Sequence, residues 1–99
     1  NIINQERLSM LKKDSIFINL ARGGLVDEVA LEKLLLANKI AGAALDVFEI
    51  EPPNSNKFAL MDNVLVTPHI GSSTEETIIE MGMAALNGLK NAKDPLKFL

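Results

Sequence analysis

The chain contains no cysteine and a single histidine, His69. A disulfide scaffold and a thiolate–zinc site are therefore excluded, a two-histidine metal motif cannot be built, and no metal site is expected. The lack of thiols is compatible with a reducing compartment, and a cytoplasmic location is the expectation. Long apolar runs are also missing. The longest, IAGAAL at 40–45 with Gly42 counted, is far below the roughly 18 residues that span a bilayer. The opening NIINQERL lacks the basic start and apolar core of a signal peptide. Basic charge is not in excess either. Ten Lys and Arg face thirteen Asp and Glu, a net charge of -3, which argues against a nucleic-acid binder. Neither a membrane nor a nucleic acid is an expected partner. Internal repeats, low-complexity tracts and flexible linkers are absent as well.

What is present is an ordinary globular mixture, 47% hydrophobic and 23% charged over 99 residues. The sequence has no initiator methionine, and its mean hydropathy is slightly positive at +0.17. Both features lead us to expect a piece of a longer protein, with apolar surface meant for a neighbour.

Helical and strand signals alternate along the chain. Residues 4–12 have the pattern of a short helix, with Asn4 as N-cap, Glu6 in the first turn and Ile3 and Leu8 at the spacing of a hydrophobic staple. SIFINL at 15–20 is apolar enough to predict a strand covered on both faces, and ARGG at 21–24 follows as a turn. Asp27 can cap a second helix on which Ala30, Leu31, Leu34 and Leu35 share a face, ended by Asn38 and Lys39. A second strand is predicted over 40–48, a proline-fixed loop over 49–56, one helical turn over 58–61 and a third strand over 64–67. A final helix is expected over 74–91, with Ser73 and Glu76 at capping-box spacing and Ile78, Met81, Ala85, Leu86 and Leu89 on its apolar face. Strands joined in this order by short connections imply parallel pairing. The expected fold class is α/β, a partial Rossmann-like doubly wound parallel sheet of about three strands with flanking helices.

In open parallel sheets, ligands bind beyond the carboxyl ends of the strands. Four polar residues fall there: Arg22 after the first strand, Asp46 and Glu51 after the second, and His69 after the third. Arg22 offers a planar fork suited to a carboxylate, or is a solvated loop residue. Histidine is the residue type that exchanges protons near neutrality, so His69 is a candidate acid/base, or a ring bonded to backbone at a strand end. Pro68 and Gly71 read as a rigid turn around it. Glu51 is a candidate partner for His69, with a solvated charge as the alternative. Asp46 ends an apolar strand and needs a donor, from an amide-bearing ligand or from the following turn. Gly23–Gly24 carries only a weak phosphate-cradle signal, because it is not GxGxxG.

The segments INLARGG at 18–24, VDEVALEKLL, IAGAALDVFEIEPP at 40–53 and NVLVTPHIGSST at 63–74 resemble, in order and over almost the whole chain, the D-isomer-specific 2-hydroxyacid dehydrogenases. The resemblance implies a fragment of a larger protein with two Rossmann-like domains and an active site in the cleft between them. Residues 1–99 would be the C-terminal portion of the dinucleotide-binding domain, with 74–99 the final helix and tail returning toward the catalytic domain. It implies that Arg22 holds the substrate carboxylate, that Glu51 pairs with the catalytic histidine and that His69 is the acid/base. Asp46 would contact the nicotinamide carboxamide, and Ala21, Arg22, His69 and Gly71 would border the cofactor, NAD with NADP left open. The substrate would be a small 2-hydroxy or 2-oxo acid, and the full-length protein a homodimer. Glu51, as a carboxylate, departs from formate dehydrogenase, a relative with Gln in that role. The GxGxxG turn, the residue that selects NAD over NADP and the catalytic domain do not occur in these 99 residues, so the chain alone is expected to be inactive. Two other readings stand beside the enzyme: an NAD-sensing corepressor-like binding protein, and an inactive truncated copy.

Overall fold

The computed structural model describes residues 1–55, 57–71 and 74–90, with Leu89 described in its backbone only. The chain divides into two compact units, Asn1–His69 and Ile70–Leu99.

The first unit begins with α1 (Gln5–Ser9), whose N-cap Asn4 accepts a hydrogen bond from the Arg7 N–H at 3.1 Å. This helix is shorter than the predicted 4–12. Only Leu8 is buried on it, the Met10 and Leu11 N–H groups turn back to the Arg7 and Leu8 carbonyls, and the Ser9 hydroxyl donates to the Glu6 carbonyl. With no second apolar residue to pack, the helix closes after one turn. Just before it, Ile3 pairs with Val26 as an isolated parallel bridge, a contact that periodicity does not foretell.

Strands β1 (Ile16–Asn19), β2 (Gly42–Leu45) and β3 (Val64–Val66) form a three-stranded parallel sheet in the order β1-β2-β3. Between β1 and β2 run a single 3-10 turn (Gly23–Leu25), in place of the simple ARGG turn, and α2 (Glu28–Leu36). Asp27 caps α2, accepting from the Ala30 N–H at 3.0 Å. Its other end closes as a Schellman motif. Asn38 takes a left-handed φ of 51°, its N–H donates to the Leu35 carbonyl, and the Lys39 N–H donates to the Leu34 carbonyl. The second strand is shorter than the predicted 40–48: beyond the Asp46 N–H, which still donates to the Asn19 carbonyl, Val47 and Phe48 turn away into the loop of the site. Residues 58–61 make a hydrogen-bonded turn, Met61 N–H to Phe58 carbonyl, and not the helical turn expected.

Both helices cover one face of the sheet. Leu8, Val26, Ala30, Leu31, Leu35, Ile40, Ala43, Leu45, Phe48 and Phe58 form the core, with Phe17, Val64 and Val66 packed against it. On the opposite face Ile16, Ile18 and Leu65 are exposed. The expectation that the first strand is covered on both faces is therefore corrected. Period-2 alternation puts Phe17 and Asn19 inward and Ile16 and Ile18 outward, and no helix of the first unit lies over the outward row. The uncovered face is one half of the doubly wound plan.

The second unit contains α3 (Glu75–Lys90), capped by Thr74, whose hydroxyl accepts from the Thr77 N–H at 3.2 Å. Ser73, the predicted cap, lies outside the described residues, as do the Leu89 side chain and the tail 91–99. Of the predicted apolar face, Ile78, Met81 and Leu86 are exposed. Among the described residues no helix is long and apolar enough to cross a membrane, and no three His, Cys, Asp or Glu side chains cluster so as to hold a metal ion.

Candidate active site

Register brings the site together. Asn19 lies opposite Leu45, and Leu45 opposite Val66, so the three strands end level. Each chain exit then carries a polar side chain: Arg22 three residues on, Asp46 one residue on, and His69 three residues on. Positions separated by 23 or more residues in sequence thus leave the sheet at one edge because parallel strands all point the same way.

His69 Nδ1 and Glu51 Oε2 are 2.5 Å apart, with both side chains partly exposed. The second carboxylate oxygen, Oε1, accepts the Phe48 backbone N–H at 3.0 Å. Glu51 is therefore held at both oxygens. Its carboxyl is lowered from the ordinary glutamate value, first by the Phe48 N–H and then by the hydrogen bond to His69, with the charges of His69 and Arg22 adding to the effect. With Nδ1 bonded to a carboxylate, Nε2 is the ring nitrogen left to exchange a proton with a ligand. His69 itself sits in the left-handed region at φ 55°, a conformation that costs a residue with a β-carbon about 1–3 kcal/mol and that clusters at functional sites.

Asp46 is buried at the end of β2 and accepts from the Thr67 hydroxyl at 2.5 Å. The donor it needs is thus supplied in part by the first residue beyond β3. A cleft of about 500 Å³ opens beside these groups, lined by Asp46, Phe48, Glu51, Val66, Thr67 and His69 together with Pro52, Pro53 and Pro68. Arg22 is exposed, and its Nη1 donates to the carbonyl of Ala21, also exposed, at 2.7 Å. Gly71 belongs to the second unit.

Sequence reasoning misses two contributors to this edge, Asn19 and Thr67, and gives a third, Gly23, only a weak phosphate-cradle signal. Asn19, inside what reads as an apolar strand, is buried and bonds the backbone of the turn that carries Arg22. Thr67 bonds Asp46. Gly23 packs so tightly that a β-carbon there would lie 1.8 Å from the Phe48 carbonyl carbon, which explains this glycine by close backbone approach and not by a phosphate cradle. A signal existed for Asn19: a polar side chain in an inward strand position must find partners.

A parallel sheet with flanking helices, and a carboxylate–imidazole pair beside an apolar cleft at its carboxyl edge, make this a Rossmann-like α/β module with a candidate proton-transfer site. The chain belongs to the family described as D-isomer specific 2-hydroxyacid dehydrogenase, NAD binding domain, which it matches over residues 1–71. Over 76 residues it is 54% identical to a D-3-phosphoglycerate dehydrogenase of Methanocaldococcus jannaschii, covering 77% of this chain and 14% of that protein. Among solved structures, a glyoxylate reductase from Paecilomyes thermophila superposes with a TM-score of 0.80 at 38% identity, covering 92% of this chain and 28% of that one. An NADPH-dependent glyoxylate/hydroxypyruvate reductase from Sinorhizobium meliloti, crystallised with NADP and malonate, superposes with a TM-score of 0.77 at 39% identity, covering 89% and 28%. The chain thus spans less than a third of each of these relatives.

Proposed function

We propose that this chain forms the cofactor side of the active site of an NAD(P)-dependent 2-hydroxyacid dehydrogenase, which interconverts a small D-2-hydroxy acid and its 2-oxo acid. The observation that carries the proposal is the His69–Glu51 pair at the carboxyl edge of the sheet. In reduction, His69 gives a proton to the carbonyl oxygen of the oxo acid, and in oxidation it takes that proton from the hydroxyl. Glu51 keeps the Nδ1 proton in place and stabilises the imidazolium. Arg22 grips the substrate carboxylate through its guanidinium fork and sets the distance between the reacting carbon and its hydride source.

The residues present fit a nicotinamide cofactor. Asp46 is a buried acceptor on the cleft, complementary to the N–H of a carboxamide, and Phe48, Val66 and the three prolines supply apolar lining. Ala21, Arg22, His69 and Gly71 are proposed to border the same ring. When bound, the cofactor supplies the hydride. The cofactor is NAD or NADP, and the relative crystallised with NADP and malonate, a small dicarboxylate, supports the pairing of such a cofactor with a small acid. We place residues 1–99 in the C-terminal portion of the dinucleotide-binding domain and assign 74–99 to the segment that returns toward the catalytic domain. The family match ends at residue 71 and the first compact unit at His69, which favours that division.

We further propose that the full-length protein is a cytoplasmic homodimer. The absence of cysteine suits a reducing compartment, and the exposed Ile16, Ile18 and Leu65 suit burial against more protein. A monomer by light scattering on the intact protein refutes the dimer. For the chemistry, His69→Gln in the full-length protein is expected to lower turnover of 2-oxo acids by about two to four decades, the usual cost of losing a general acid/base. Near-normal turnover by that variant removes His69 from the mechanism.

A further inference from the structure

Asn19 stands out as the buried polar side chain of an otherwise apolar strand. Its Nδ2 donates to the carbonyl of Arg22 at 2.9 Å, and its Oδ1 accepts the N–H of Ala21 at 3.1 Å. The two bonds grip the Ala21–Arg22 dipeptide at its two ends and hold Arg22 at φ -152°, ψ 143°. The main chain of Asn19 acts at the same edge, its carbonyl accepting the N–H of Asp46 at 3.1 Å. One residue thus ties together the turn that carries Arg22 and the exit of β2. Arg22 itself is exposed, and its own recorded hydrogen bond runs to the adjacent Ala21 carbonyl, so its direction depends on the backbone that Asn19 fixes.

We propose that Asn19 is the positioning residue for Arg22: its side-chain amide sets the backbone from which the guanidinium meets the substrate carboxylate. The proposal rests on the role given to Arg22 under the proposed function. Asn19 need not touch substrate or cofactor. Its effect runs through Arg22 and therefore falls mainly on the acid substrate. Leu and Asp are informative replacements. Leu keeps the branched shape and removes both bonds, whereas Asp keeps the acceptor toward Ala21 and loses the donor toward Arg22.

The test is a double-mutant cycle in the full-length protein, with N19L, R22Q and the double variant assayed for reduction of 2-oxo acids. N19L is expected to raise KM for the oxo acid and lower kcat/KM by about ten- to a hundredfold, the scale of misplacing a substrate-orienting group. The KM for the nicotinamide cofactor should rise less than that for the oxo acid, since Ala21 and Arg22 only border the ring while Asp46 and the apolar lining keep their own support. On the R22Q background, N19L should have no further effect, because the residue through which it acts is gone. N19D should fall between wild type and N19L. Equal losses from N19L with and without Arg22, or a rise in cofactor KM as large as that for the acid, overturn the proposal. If N19L does not fold, the same cycle with N19D decides. Failure of both to fold also overturns it, by making Asn19 a support of β1 and not of Arg22. Normal kinetics for R22Q alone would sink the assigned role of Arg22, whereas an impaired R22Q beside an unimpaired N19L sinks only the inference about Asn19.

Discussion

Gly23 and Gly24 are adjacent, yet the fold predicts opposite outcomes for the same substitution. A β-carbon built on Gly23 lies 1.8 Å from the carbonyl carbon of Phe48, 2.1 Å from its oxygen and 2.2 Å from the Glu49 nitrogen. All three are backbone atoms, so no rotamer change relieves the clash. The turn and the 46–49 loop must separate by roughly 1 Å or more, and overpacking of that kind costs about 1–3 kcal/mol and sometimes more. Gly23→Ala belongs at the upper end of that range, since Phe48 also donates its N–H to Glu51 and packs its ring against Phe58 at 6.1 Å. At Gly24 nothing lies within 4 Å of the added carbon, and among the described residues no glycine has a positive φ. Gly24→Ala is expected to be neutral or to stabilise by about 0.4–1 kcal/mol through the unfolded chain. Chemical denaturation of the two full-length variants by circular dichroism measures the difference, which should approach 3 kcal/mol or more. The loss of kcat/KM should follow the same order, because Gly23→Ala also displaces the loop that holds Glu51. Equal stability of the two variants would refute the claim that the turn and the loop are in backbone contact.

Two further outcomes follow from the hydrogen bonds. The Glu51 carboxyl should titrate below the ordinary glutamate range by carbon NMR, and His69→Gln should move it upward. Its folded value is lower than its unfolded one. Its contribution to stability is therefore present above the ordinary glutamate pKa and is lost as pH falls through the lowered value; a titration at or above the ordinary range contradicts the assigned contacts. Thr67→Val removes the hydroxyl that serves buried Asp46, and should cost about 1.5–3 kcal/mol relative to Thr67→Ser, which keeps it. Thermal unfolding of the pair decides, and indistinguishable transitions discount that bond.

Much of this was legible before any coordinates. The caps Asn4 and Asp27, the helix face of Ala30, Leu31 and Leu35, and the parallel order of the strands follow from local chemistry and spacing. So does the placement of Arg22, Asp46, Glu51 and His69 on one edge, since parallel strands send their exits to the same side. The misses have common physical causes. Helix α1 and strand β2 are shorter than their apolar pattern predicts, because such a pattern does not report where packing partners run out. The bare face of β1 was hidden because a strand covered on one side and one covered on both can share the same apolar composition. Asn19, Thr67 and Gly23 act through atoms brought close only by the fold, namely a turn backbone, a carboxylate 21 residues away and a neighbouring loop.

The two halves of the proposed chemistry differ in how completely residues 1–69 build them. Glu51 is fixed at both oxygens, by a backbone N–H and by the imidazole, and the loop that carries it is gripped from two other sides. The Gly23 backbone presses on Phe48, and the carboxylate of Glu28 accepts the Glu49 N–H at 2.6 Å. That pair is therefore preorganised before substrate arrives, which is what electrostatic stabilisation of a protonated imidazole requires. Arg22, by contrast, has a fixed backbone and an exposed guanidinium bonded to its own neighbour's carbonyl. That bond uses one of the five guanidinium N–H donors, so the exposed fork takes its final direction from the substrate carboxylate, while the proposed acid/base is held beforehand. Losses at Glu51 or His69 should accordingly appear mainly in kcat, and losses at Asn19 or Arg22 mainly in KM for the acid.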